Sequence, residues 1–94
     1  AATLEVRNVD IAVYDQDAGR WSHELVQRLD SARFITHVRH VDSQQQLHEL
    51  IDRGEVIAAL AIPVDFSRSI AAGESGRAQV LVDGRRSNSG QITV

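Results

Sequence analysis

The chain has 94 residues, 43% of them hydrophobic, with a formal net charge of −3, which is enough apolar material for one modest core and too little chain for two domains. All ten basic residues are arginine, and neither lysine nor cysteine occurs. Within these residues that excludes Schiff-base and P-loop lysines, thiol catalysis, disulfides and thiolate metal sites, and the scattered charge offers no extended basic footprint for nucleic acid.

Asp10 to Tyr14 reads as a first strand, followed by a polar turn, Asp15-Gln16-Asp17-Ala18-Gly19, in which the Asp17 carboxylate can cap the next helix. Trp21, Leu25 and Leu29 recur every four residues and form the buried stripe of that helix. Phe34 to Val41 is a second strand, less uniformly apolar, as suits a sheet edge. Ser43 with Gln46 three residues on is a capping box in sequence, and Leu47, Leu50 and Ile51 line one face of a second helix that Gly54 ends. Val56 to Ile62 is a continuous apolar run, which needs cover on both faces of a sheet, and it marks a third, central strand. After Pro63, Asp65 can cap a short third helix with Phe66 and Ile70 inward, and Gly73 stops it. Ala78 to Val82 is a fourth strand, and Asp83-Gly84 turns the chain outward.

Strands and helices in strict alternation with short connections predict an α/β fold: a small three-layer sandwich with β-α-β-α-β-α-β topology and a mainly parallel four-stranded sheet joined by right-handed crossovers. The two most apolar strands, first and third, belong side by side at the centre, giving the order 2-1-3-4. Ligands in such sheets collect at the carboxyl ends of the strands, near the reversal of strand order. The expected rim is therefore Asp15, Gln16, Asp17, Asp83, Arg85, Arg86 and Asn88.

Clustered carboxylates invite a hard cation, but Asp15, Asp17 and Asp83 also suit turns and caps, and a phosphoacceptor aspartate would lack its lysine, so no metal is assigned. His37 and His40 lie three apart on a strand and point to opposite faces, while His23 and His48 sit alone on helices. Adjacent Ser22 and His23 cannot face each other on a helix, and Gly-x-Ser-x-Gly is absent, so no catalytic residue is assigned. Without a glycine-rich phosphate loop or a lysine, no nucleotide or other cofactor is expected. No apolar stretch approaches the roughly 20 residues needed to span a bilayer, and no signal peptide opens the chain. It begins Ala1-Ala2-Thr3 without methionine, so the expectation is a single domain, residues 1–94, belonging to a longer protein.

Val13-Tyr14-Asp15-Gln16-Asp17, Arg53-Gly54-Glu55-Val56, Ile62-Pro63-Val64-Asp65-Phe66 and Val80-Leu81-Val82-Asp83-Gly84 followed by Ser87-Asn88, in that order and spacing, resemble the extracytoplasmic domain of ABC-2 type transporter permeases, in the bacterial multidrug-efflux-like branch. The resemblance covers nearly the whole chain. It implies a non-enzymatic domain on the periplasmic or extracellular side of the bacterial cell membrane, inserted between the first two transmembrane helices of an efflux permease. It further implies an ATPase subunit or domain and a second permease copy as partners, a periplasmic adaptor protein as a candidate partner, and a longer helix starting at Ser87. Arg85-Arg86 departs from the small or acidic residues the family pattern implies after the Asp-Gly turn. The alternative reading of the same residues is a soluble ligand-binding or receiver-like module using Asp15, Asp17 and Asp83; a small hydrolase ranks last because no nucleophile and base can be paired.

Overall fold

The computed structural model describes residues 9–33 and 35–82, and the backbone of residues 86–92. The elements in chain order are β1 (Val9–Asp15), α1 (Arg20–Asp30), β2 (Ile35–His40), α2 (Gln44–Asp52), β3 (Ala58–Ile62), α3 (Phe66–Ala71), β4 (Gly76–Val82) and β5 (Arg86–Ile92). They build one sheet in the order β2-β1-β3-β4-β5. The expected α/β class and the order 2-1-3-4 hold, with β1 parallel to both β2 and β3.

The sheet carries two departures from the expected topology. β4 runs antiparallel to β3, with Leu60 opposite Val80, so the last crossover is not a parallel one. The reason is length: the six residues of α3 rise about 9 Å, while a five-residue strand such as β3 spans about 16 Å. The helix cannot carry the chain back down the sheet, and the chain re-enters from the end it left. The second departure lies beyond β4, where the implied helix from Ser87 is a fifth strand paired antiparallel to β4, from Val82 opposite Arg86 to Gly76 opposite Ile92. Residues 86–92 lack the apolar spacing that would give a helix a buried stripe, and in sequence Asp83-Gly84 is itself a hairpin signal.

Two apolar layers cover the sheet. On one face α2 lays Leu47 and Ile51 over Ala12, Ala59, Ala61 and Leu81. On the other, α1 and α3 cover Ile11, Val13, Leu60 and Ile62, with Phe66 at the centre and Trp21, Leu25 and Leu29 packed against it. Trp21, Leu25 and Leu29 are half-buried against this layer, and the Arg20 guanidinium lies 5.0 Å from the Trp21 ring centroid. Gly54 and Gly73 end α2 and α3 with φ of +71° and +84°, the left-handed conformation that only glycine adopts without cost.

The helix starts differ from their sequence reading in two of three cases. Ser43 caps α2 as expected, accepting from the Gln46 N–H at 3.1 Å; the Gln46 amide oxygen takes the Asp42 N–H instead of closing the box on Ser43. Asp65 holds the N-cap position of α3, but its carboxylate makes no capping bond. Asp17 does not cap α1; Gly19 holds that position, and the cap itself comes from elsewhere in the chain.

Candidate functional site

The carboxyl ends of β1 and β3 meet at the reversal of strand order, where the Gln16 N–H donates to the Ile62 carbonyl at 3.0 Å. Because β4 is antiparallel, its first residues, not its last, join this rim. Two depressions open there. One, of about 490 Å³, is lined by Pro63, Asp65, Phe66, Ser69, Glu74, Ser75 and Arg77. The other, of about 300 Å³, is lined by Gln16, Gln44, Ala61, Pro63, Arg77, Ala78 and Gln79. Pro63 and Arg77 belong to both and form the ridge between them. The Gln44 side-chain amide donates to the Gln79 amide oxygen at 3.3 Å across the second.

The rim expected from sequence is only partly gathered. Asp15, Gln16 and Asp17 stand at this end, but Gln16 alone lines a depression. Val82 and Arg86 pair with each other at the far end of the sheet, where Val82 is opposite Ala58 and Ala58 is beside Ile11, four residues before Asp15, about 13 Å back along the strands. Asn88 pairs with Val80 in mid-sheet. Asp83 and Arg85 lie outside the described residues, as do the side chains of Arg86 and Asn88. The antiparallel entry of β4 therefore separates Arg86 and Asn88 from the acidic loop.

Asp15 and Asp17 are engaged in folding that loop. Asp15 Oδ1 accepts the N–H groups of Asp17 at 2.9 Å and Ala18 at 3.0 Å, closing a tight turn. Asp17 Oδ2 accepts the Gly19 N–H at 3.2 Å, the Ser67 N–H at 3.3 Å and the Ser67 hydroxyl proton. The Ser67 hydroxyl oxygen in turn accepts from Trp21 at 2.9 Å and Ser22 at 3.4 Å. These are the second and third N–H groups of α1, which an N-cap side chain would ordinarily satisfy. Buried Ser22 completes the start of α1 by exchanging bonds with Gly19, accepting from its N–H at 3.0 Å and donating to its carbonyl at 3.1 Å. Among the described residues, no three His, Asp or Glu side chains converge as metal ligands.

A second charged group sits at the opposite end of the sheet. Arg39 donates through Nε and Nη2 to Asp10 Oδ2 at 3.2 and 3.1 Å and through Nη1 to Glu55 at 2.9 Å, and His37 Nδ1 lies 3.3 Å from Asp10 Oδ1. Partial withdrawal of Asp10 from water would raise its carboxyl, but hydrogen bonds and charge from His37 and Arg39 outweigh it and hold the group below its ordinary value. A carboxyl lowered on folding stabilises the fold above its unfolded value, about 3.9, and that contribution is lost as pH falls through the folded value beneath it. Denaturation followed from pH 5 down to pH 2 should therefore show a shallower acid loss in Asp10→Asn than in the parent; equal slopes would show that this pair carries no linked stability.

The fold is a doubly wound α/β scaffold with two depressions at its switch point and its loop carboxylates bound to the α1 and α3 starts. Residues 1–93 match the model of the ABC-2 family transporter proteins, and the chain belongs to that family. It is 44% identical over 92 residues, 98% of its own length, to "Probable multidrug ABC transporter permease YbhR" from Escherichia coli K12, and equally to the same permease from Escherichia coli O157:H7. The chain spans 25% of the length of those permeases. Its fold matches a solved domain from Thermotoga maritima, described as belonging to an ABC type-2 transporter, with a TM-score of 0.61 and 21% identity, covering 76% of this chain and 48% of that one. Among the described residues, no helix is long and apolar enough to cross a membrane.

Proposed function

We propose that these residues form an extracytoplasmic domain of an ABC-type efflux permease, with no chemistry of its own, and that the grooves beside Gln16 and Arg77 are its contact surface for passing substrate or for a periplasmic adaptor protein. The observation that carries this reading is the family match along residues 1–93, supported by the identity to a permease whose name gives multidrug transport. The domain works in a membrane protein through spans outside these residues, between the first and second of them, with an ATPase subunit or domain and a second permease copy as partners.

Sidedness tests the reading directly. The intact protein truncated after Val82 and fused to alkaline phosphatase, which is active only outside the cytoplasm, should yield active enzyme, and a cytoplasm-active reporter at the same point should be silent. The reverse pattern, with both fusions expressed, would place the domain inside the cell and overturn the proposal.

A further inference from the structure

The starts of α1 and α3 close each other. Gly19, the N-cap of α1, has no side chain to offer, and the Asp65 carboxylate at the start of α3 makes no capping bond. The Ser67 hydroxyl oxygen of α3 accepts the Trp21 and Ser22 N–H groups of α1. In return Asp17 Oδ2, from the loop that leads into α1, accepts the Ser67 N–H and the Ser67 hydroxyl proton across 50 positions of sequence. The loop is not held by backbone preference alone: Ala18 sits at φ +51°, a left-handed conformation that a non-glycine residue adopts at a cost, and the Asp15 and Asp17 carboxylates fix it there through the N–H groups of Ala18 and Gly19. The same pieces build the rim. Gln16, next to Asp17, lines the smaller depression, and Phe66 and Ser69, on either side of Ser67, line the larger. Trp21, Phe66 and Ile70 also share one apolar cluster, but apolar contact is non-directional and leaves the N–H groups of the two starts to the polar pair.

We propose that Asp17 and Ser67 form a latch that makes the two rim depressions one cooperative unit, in which the loop carrying Gln16 and the helix carrying Phe66 and Ser69 tighten and loosen together. Where the depressions serve as the contact surface proposed above, a partner that orders α3 in the larger one then also orders Gln16 in the smaller one without touching it, because whatever shifts one wall toward its closed state shifts the other by the same coupling.

Hydrogen exchange in the intact, detergent-purified permease, resolved to single amides by overlapping peptides, tests the latch. Ser67→Ala keeps the apolar contacts of α3 and removes only the hydroxyl. The amides of Trp21 and Ser22 lose their acceptor and should exchange faster in any case, so the informative ones are those whose partners the substitution leaves in place: Gln16, bonded to the Ile62 carbonyl, and Ala72 and Gly73, bonded to the Arg68 and Ile70 carbonyls. A cooperative rim should accelerate all three by about tenfold or more, the order expected when a hydrogen bond to a charged group is lost, through local opening. Amides of α2 should keep the parent rates. Asp17→Asn, which keeps the side-chain shape, should accelerate Ala72 and Gly73 in the same direction, while Ser69→Ala, on the same helix but outside the latch, should leave Gln16 unchanged. Acceleration confined to Trp21 and Ser22 in Ser67→Ala would show two independent walls and overturn the proposal. Loss of protection across α2 in both latch variants would do the same by making the effect global. Exchange in solubilised protein does not depend on which side of the membrane the domain occupies, so this test and the reporter fusions fail independently.

Discussion

Phe66→Ala is expected to lower the unfolding free energy by about 3–5 kcal/mol, the cost of removing a large aromatic ring from a packed core. Phe66 is 1% exposed and among the largest fully buried side chains. It joins Val13 and Ile62 of the sheet to the α1 and α3 layer, and Gly76 is bare because the ring fills the space a Cβ would need. No small neighbour can close over the void without moving α3. Against a total of about 5–15 kcal/mol for a domain of ordinary stability, the loss is a large fraction, and the denaturant midpoint should fall sharply while the slope of the transition stays constant. Val64→Ala, one residue beyond Pro63 and exposed, should stay within about 0.5 kcal/mol of the parent. Similar midpoints for the two variants would mean that α3 is not packed on the sheet as described.

The legibility of this fold divides along a physical line. Continuous apolar runs at Ile11–Tyr14 and Val56–Ile62 and the four-residue spacing of Trp21, Leu25 and Leu29 each specify an element by its own period, and the strand order followed from which runs need cover on both faces. Strand direction has no period. The run from Ala78 to Val82 reads the same whether it enters from above or below, and the signal that decides it was the shortness of α3. The site followed the same division. Gln16 was legible because it trails a strand whose direction was known, and Gln44 and Pro63 follow β2 and β3 at the same end, whereas Arg77 and Gln79 join them only once β4 is reversed. Arg86 and Asn88 were expected there for the same reason, and the reversal takes their strand away. The strand at Arg86–Ile92 has a local signal of its own, the Asp83-Gly84 hairpin pair in the sequence, which runs against the helix that the family resemblance implies. Helix caps were legible only when local: Ser43 bonds to a residue three positions on, but the N–H groups of α1 are taken by a hydroxyl 45 and 46 positions away, which no sequence window contains.

That remote cap explains why Gly19 is glycine, and replacing it should reveal the cap. Its φ of −105° is open to any residue, so backbone freedom is not the reason; the reason is space. A Cβ at position 19 would sit 2.6 Å from the Ser67 hydroxyl, 2.9 Å from Ser67 Cβ and 2.6 Å from Asp17 Oδ2, the very atoms that join the β1–α1 loop to α3. Overpacking costs about 1–3 kcal/mol and hydrogen bonds to a charged group contribute about 1.5–3 kcal/mol, so Gly19→Ala is expected to cost on the order of 2–4 kcal/mol. At Gly54 the balance is opposite: a Cβ would meet nothing, but φ is +71°, and the strain of a left-handed alanine should cost about 1 kcal/mol. Placing Gly19→Ala in a Ser67→Gly background separates the clash from any general weakness of the loop, because Ser67→Gly removes both serine atoms the new methyl would meet. The second substitution should then cost at least about 1 kcal/mol less than in the parent, well outside the 0.3–0.5 kcal/mol or so within which independent sites add. Additive costs would show that Ser67 does not hold the start of α1, and that the union of loop and α3 at the rim rests on Asp17 alone.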